Sequence, residues 1–214
     1  MTAAAPRRVE TRRARDAFET LLAEERQFCA DLGLPGDLLI GLARSETDWS
    51  FILKIDALLE TAARAILRRG LMRRIANGIA HGDPLWNDGL WAYVDTLPTS
   101  GPGSILALLD AAQCPQPEQD FLGCVDKVKK AYAGDIGLLG LSLADLIRRR
   151  PDRARILKTF GAIEAGDDAA LIRACEDDGA FLRYCILERT MRFLFFAYRV
   201  ALKFGPAWPL AQGA

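Results

Sequence analysis

"TDWSFILKIDALLETAARAIL", residues 47–67, decides the fold class. Turned by about 100° per residue, Phe51, Ile55, Leu58, Leu59, Ala62 and Ile66 fall in one broad sector, which is the pattern of an amphipathic helix and its core face. Thr47 or Asp48 stands where such a helix takes its N-cap. Trp49, Leu53 and Leu67 make a second apolar cluster on another side. Beside that cluster, one turn apart, stand Asp56 and Glu60. Like charges at this spacing repel by a few tenths of a kcal/mol. Burial beside Trp49 costs far more unless cations or donors answer them. Arg64, one turn beyond Glu60, answers one of them. Two readings stay open: a surface ion pair on a solvated face, or a buried acidic pair reaching a cation on another helix, as polar groups at functional clefts do.

Outward from this helix the same periodicity recurs. Val9–Leu32 has helical spacing until "DLGLPG" breaks it, and a short helix is expected at Asp37–Ala43. After the opening stretch, "NGIAHGDPLWNDG" is loop chemistry, Leu90–Leu97 reads as a short helix, and "PTSGPGS" is a second loop. Further helices are expected at Ser104–Gln113, Asp120–Ala133, Ser142–Arg150, 152–163, 167–178 and Phe181–Phe204. Strand-like alternation is sustained nowhere. The expectation is one all-α domain over 1–214, a helical bundle of about eight or nine helices. Within it, 1–44 holds N-terminal helices, 45–145 a core with an insertion at about 70–96, 146–204 the C-terminal helices and 205–214 a tail.

Composition excludes several function classes. The 28 basic residues balance the 28 acidic ones, so no global field favours nucleic acid or an anionic membrane. No run of about 18 uncharged apolar residues occurs, so no membrane span is expected. "MTAAAPRRVETRRARD" lacks the apolar stretch of a secretory signal, and Glu10 and Asp16 spoil an organelle-transit pattern. Cys29, Cys114, Cys124, Cys175 and Cys185 are odd in number and widely spaced, which speaks against a disulfide framework or a zinc site. They read as small core residues of a reducing compartment, and the localisation expected is cytoplasmic. His81 is the single histidine, so metal sites and imidazole mechanisms are hard to assemble, and no metal or cofactor is expected.

"DWSFILKIDALLE", with "LPTSGPGSILALLDAAQ" and "FLGCVDKVKKAYAGDI", resembles a group of bacterial all-helical proteins of the HEPN superfamily. Their order is a D-W-S-F-x-x-K-x-H-A-L-x-E helix, a G-x-x-x-K-hydrophobic helix, and a helix carrying R-N-x-x-x-H. The resemblance covers about residues 45–145 and implies a HEPN-like core. Members with the intact motif are metal-independent ribonucleases, often toxins or phage-defence effectors, whose Arg and His meet across a dimer at the scissile phosphate. Carried over by position, the family's arginine and asparagine fall near Lys129 and Lys130, and its histidine near Gly134. The first-helix histidine is Asp56 here, while Lys54 and Glu60 are retained. Lacking that imidazole, the centre has no acid or base for ribose chemistry at neutral pH, and lysine holds phosphate only as a point charge. The resemblance therefore implies a degenerate centre, with Glu60 kept as a structural partner of Lys129 or Lys130.

An alternative ribonuclease reading rests on Arg74, Asn77 and His81 in "RRIANGIAHG", which imitates an R-x6-H motif inside the insertion. The last long segment, "FLRYCILERTMRFLFFAYRVALKF", is apolar round most of its circumference. Arg189, Arg192, Arg199 and Lys203 fall in the narrow strip that remains. It reads as a core helix with a basic solvated edge, as a homodimer or protein-partner interface, or as a site for phosphate or RNA. "RRRPDRARILK" (148–158) reads as a solvated basic corner, and the acidic 164–179 segment as serving a helix start. The function expected is a non-catalytic binding or scaffold protein, with the ribonuclease and a subunit docking through its terminal helix as alternatives.

Overall fold

The structure, a computed structural model, describes residues 37–76, 89, 92–161 and 168–203. Helices joined by short loops make up these residues, with no strand among them, as an all-α chain requires. The helices are α1 (Leu38–Ala43), α2 (Asp48–Ala76), α3 (Ile105–Ala111), α4 (Gln116–Gly134), a 3-10 turn (Ile136–Leu138), α5 (Leu143–Arg148), α6 (Arg153–Gly161), α7 (Asp168–Asp177) and α8 (Gly179–Lys203). Residues 92–96 are also helical. The helix expected at Val9–Leu32, the loop bearing His81 and the tail lie outside the described residues.

Short polar side chains set where the helices begin. Ser50 N donates to Thr47 Oγ1 at 3.1 Å, so Thr47 caps α2 and leaves the Asp48 carboxylate for other work. Ser104 Oγ accepts from Ala107 N at the start of α3, and Ser142 Oγ accepts from Asp145 N at the start of α5. Asp178 Oδ1 accepts from Ala180 N and Phe181 N and so opens α8. Two features depart from the sequence pattern. Helix α4 begins at Gln116, four residues before Asp120, because Pro115 sits at its N-cap and Pro117 in its first turn, where a missing N–H breaks no helical bond. Helix α3 ends with Gln113 at φ 61, its N–H bonded to Asp110 O and that of Cys114 to Leu109 O, a left-handed cap of the kind glycine usually supplies.

The chain divides into two compact units, Met1–Phe51 with Gly140–Arg189 and Leu210–Ala214, and Ile52–Leu139 with Thr190–Pro209. In the first, α6 packs chiefly on α7, and α5 touches both. Gly161 permits the closest approach there, since a Cβ on it would lie 2.4 Å from Leu171 Cδ2. Arg183 ties the unit's turn to α8, bonding Asp48 and the carbonyls of Ala43 and Ser45 while its guanidinium lies 5.1 Å from the Phe51 ring centroid. In the second unit, α3 and the 3-10 turn pack on α4. Its core includes Ile55, Leu59, Ile66, Phe121, Val125 and Tyr132, each fully enclosed and each stabilising the fold by about 1.5–3 kcal/mol.

Candidate functional site

The two acids that interrupt the apolar pattern of α2 both lie in the second unit, and each is answered by a different piece of downstream chain. The second apolar cluster is divided: Leu53 is 43 % exposed and Trp49 half-buried, whereas Leu67, on the same face further along α2, is fully buried. Asp56 itself is only 3 % exposed. The reading of a solvated pair is thereby overturned for Asp56. Lys129 Nζ, on α4, donates to Asp56 Oδ2 at 2.6 Å and lies 3.4 Å from Asp126 Oδ1. Lys130 Nζ lies 2.9 Å from Asp126 Oδ2 and also donates to Ser100 Oγ in the loop before α3. Asp56 Oδ1, although buried, accepts no hydrogen bond among the described residues.

Glu60 belongs to a second network. Arg64 donates to its Oε1, and Thr99 Oγ1 donates to Oε2 at 2.9 Å. Arg64 also donates to Val94 O and, at 2.9 Å, to Leu97 O, which satisfies carbonyls at the end of the helical stretch 92–96. The lysine partner expected for Glu60 is taken by Asp56 instead, one turn earlier, because Arg64 and Thr99 already use both Glu60 oxygens. Arg68 repeats the tie one turn on by bonding Asp95.

The electrostatics follow from burial and pairing. Burial pushes the Asp56 carboxyl above its ordinary range, with the hydrogen bond and charge of Lys129 pulling the other way. Burial alone pushes Asp126 upward too, but hydrogen bonds from Lys130 and Ser100 and the charges of both lysines outweigh it and hold that carboxyl low. For Lys129, burial favours the neutral amine, yet the hydrogen bond and charge of Asp56 and the charge of Asp126 win and hold the ammonium above its usual range. The result is an alternating string, Asp56–Lys129–Asp126–Lys130, whose charges cancel.

Of the other residues singled out from sequence, Arg74 falls on the last turn of α2, and Asn77 and His81 lie outside the described residues. The basic strip of α8 is uneven. Arg192 and Arg199 are exposed, Arg199 with its guanidinium 5.9 Å from the Phe195 ring centroid, whereas Arg189 is 6 % exposed. At about 100° per residue Arg189 lies within about 60° of Leu182, Ile186 and Phe193, on the flank of the buried stripe. Lys203 closes α8, and its side chain is not among those described. Sequence reasoning missed Asp126, Ser100 and Thr99. Asp126 was detectable, since it stands three and four residues before Lys129 and Lys130, the spacing of helical ion pairs. The basic 148–158 corner is partly neutralised within the first unit, where Arg148 bonds Asp145 and Glu176 O, and Arg150 pairs with Asp152.

No family model, curated protein or solved structure matches this chain. Among the described residues, no group of three or more His, Cys, Asp or Glu side chains could hold a metal ion. No described helix is long and apolar enough to cross a membrane.

Proposed function

We propose that this chain is a non-catalytic binding protein, a HEPN-like core whose reaction centre has become salt-linked architecture, working as a homodimer or with a protein partner. One observation carries the reading. Asp56, which stands at the position of the resembled family's first-helix histidine, is hydrogen-bonded to Lys129, which stands near that of its arginine. An ammonium clamped between two carboxylates holds its proton and shuttles nothing at neutral pH, and the enclosed Asp56 offers no surface to a ribose hydroxyl. The contact face is the exposed side of α8. Phe195 is 49 % exposed there with Arg199 over its ring and Arg192 nearby on the helix, the aromatic and arginine chemistry that protein interfaces favour.

The test is incubation of the purified chain with labelled single-stranded RNA in the presence of a chelator, alongside His81→Ala. No cleavage above the protein-free control is expected from either protein. Cleavage that disappears in His81→Ala overturns the non-catalytic reading in favour of the Arg74, Asn77 and His81 centre. Light scattering of Phe195→Glu addresses the partner face: if α8 joins two copies, the variant elutes at half the mass of the parent.

A further inference from the structure

Among the described residues two carboxylate oxygens, Asp56 Oδ1 and Asp126 Oδ1, are enclosed without accepting a hydrogen bond, and both belong to the cluster that joins α2 to α4. The side chains that carry them are 5 % and 2 % exposed. Their sister oxygens are taken. Lys129 Nζ donates to Asp56 Oδ2 at 2.6 Å, and Lys130 Nζ lies 2.9 Å from Asp126 Oδ2. Lys129 Nζ also stands 3.4 Å from Asp126 Oδ1, so the two acids converge on one ammonium. All four residues belong to the second compact unit.

A bare, enclosed carboxylate oxygen is strongly destabilising, and two of them beside the same ammonium require a donor from elsewhere. Lys130 does not provide it, since it is engaged by Asp126 Oδ2 and Ser100 Oγ. A further cation fits poorly, because the charges of Asp56, Lys129, Asp126 and Lys130 already cancel and the newcomer would stand against an ammonium. An anion fits worse, since it brings acceptors to a place that lacks donors. The group that fits is neutral, small enough to be enclosed, and has two hydrogens to donate. It also has a lone pair to offer, because the ammonium carries three N–H groups and the bond to Asp56 Oδ2 uses one of them.

We propose that the Asp56, Asp126 and Lys129 side chains form a binding site for a single water molecule, which donates one hydrogen to Asp56 Oδ1 and the other to Asp126 Oδ1 and accepts an N–H of Lys129. About three hydrogen bonds to enclosed polar groups are the usual complement of such a water. The water closes the string of charges into a ring that runs from Asp56 through Lys129 and back, and ties α2 to α4 a second time. It also occupies the part of the ammonium that would otherwise be open to an incoming phosphate. The site stands on the geometry of the cluster and not on the reading of the chain as non-catalytic, so either can fail without the other.

The test is a crystal structure of the full chain at atomic resolution, from crystals grown once in sodium salt and once in rubidium salt. The expected result in both is one oxygen's density within about 2.5–3.2 Å of Asp56 Oδ1, Asp126 Oδ1 and Lys129 Nζ, with no anomalous signal from rubidium. In solution, relaxation dispersion of the water oxygen counts enclosed molecules by their slow exchange. Its amplitude is expected to fall by one water when Lys129→Met and Asp56→Leu are combined, which removes two of the three partners. Empty density where other enclosed waters of the same crystal are resolved overturns the proposal, and so does an anomalous peak, which assigns the site to a cation. Direct contact of Asp56 Oδ1 with Asp126 Oδ1 through a shared proton, or an unchanged dispersion amplitude, overturns it equally. The crystallographic outcomes are read on the wild-type protein whether or not the variant folds.

Discussion

Replacing Lys129 by methionine keeps the apolar stem and removes the charge that holds two buried carboxylates. Asp126 retains Lys130, but Asp56 loses Lys129, whose hydrogen bond and charge pull its carboxyl downward. Removing one member of a buried ion pair costs about 3–5 kcal/mol. The Lys129 side chain is 21 % exposed, which lets water relieve part of the loss and places the expected cost near the lower bound, about 3 kcal/mol at neutral pH. With a urea m value of about 2 kcal/mol/M, the midpoint followed by far-ultraviolet circular dichroism falls by about 1.5 M. The loss also has a pH signature. Asp56 is already held high by burial, and without Lys129 it rises further. A carboxyl whose folded pKa exceeds its unfolded one contributes stability that is complete below the unfolded pKa and is lost as pH rises through the folded pKa. The deficit of Lys129→Met is thus full at neutral pH and shrinks on acidification through the folded pKa of Asp56. Asp126 runs the opposite way, its contribution being lost as pH falls, but Lys130 keeps holding it in both proteins, so most of that change drops out of the difference. Adding Asp56→Leu to the variant removes the stranded charge and recovers most of the loss. A cost below about 0.5 kcal/mol, the level of an exposed pair, or a deficit that does not shrink on acidification, refutes this account of the cluster.

Two further changes probe other parts of the second unit. Arg64→Met removes a donor from Val94 O, which keeps that of Leu97 N, and from Leu97 O, and is expected to cost about 1–3 kcal/mol, with amide hydrogen exchange accelerating over residues 92–99 before the rest of the unit. Gln113→Gly replaces a side chain held at φ 61 by the residue suited to that conformation, and is expected to raise stability by about 1 kcal/mol, seen as a higher thermal midpoint. A neutral or destabilising result there assigns Gln113 a role beyond capping.

How much of this was legible in the sequence depends on the distance over which each decision is made. Helix identity is local, and the alternation of Phe51, Ile55, Leu59, Ala62 and Ile66 was enough to assign α2 and its core face. Helix ends are less local: the sequence pattern places the start of α4 at Asp120, whereas the prolines at 115 and 117 fit its N-cap and first turn, where a missing N–H breaks no helical bond. Partner choice is set by the fold. Both Asp56 and Glu60 are acids one turn apart; the i,i+4 spacing points Glu60 to Arg64, but nothing in it says that Asp56 pairs 73 residues away with Lys129 or that Thr99 takes the other Glu60 oxygen. The same holds for Arg189, which shares the basic edge of α8 on a helical wheel but falls inside because of what packs against its flank.

That division of labour along α2 has a consequence for the order in which the chain matures during synthesis. Helix α2 is complete long before its downstream partners exist: Arg64 lies on the helix itself, but Thr99 follows Glu60 by 39 residues and Lys129 follows Asp56 by 73. At about 5–20 residues per second Asp56 waits roughly 4–15 s for its lysine. The Asp56 carboxylate keeps that face hydrated over the interval, and it pairs with Lys129 only once α4 has left the ribosome. A row of charges that stabilises the finished protein thus also serves the unfinished one, as a guard against premature association.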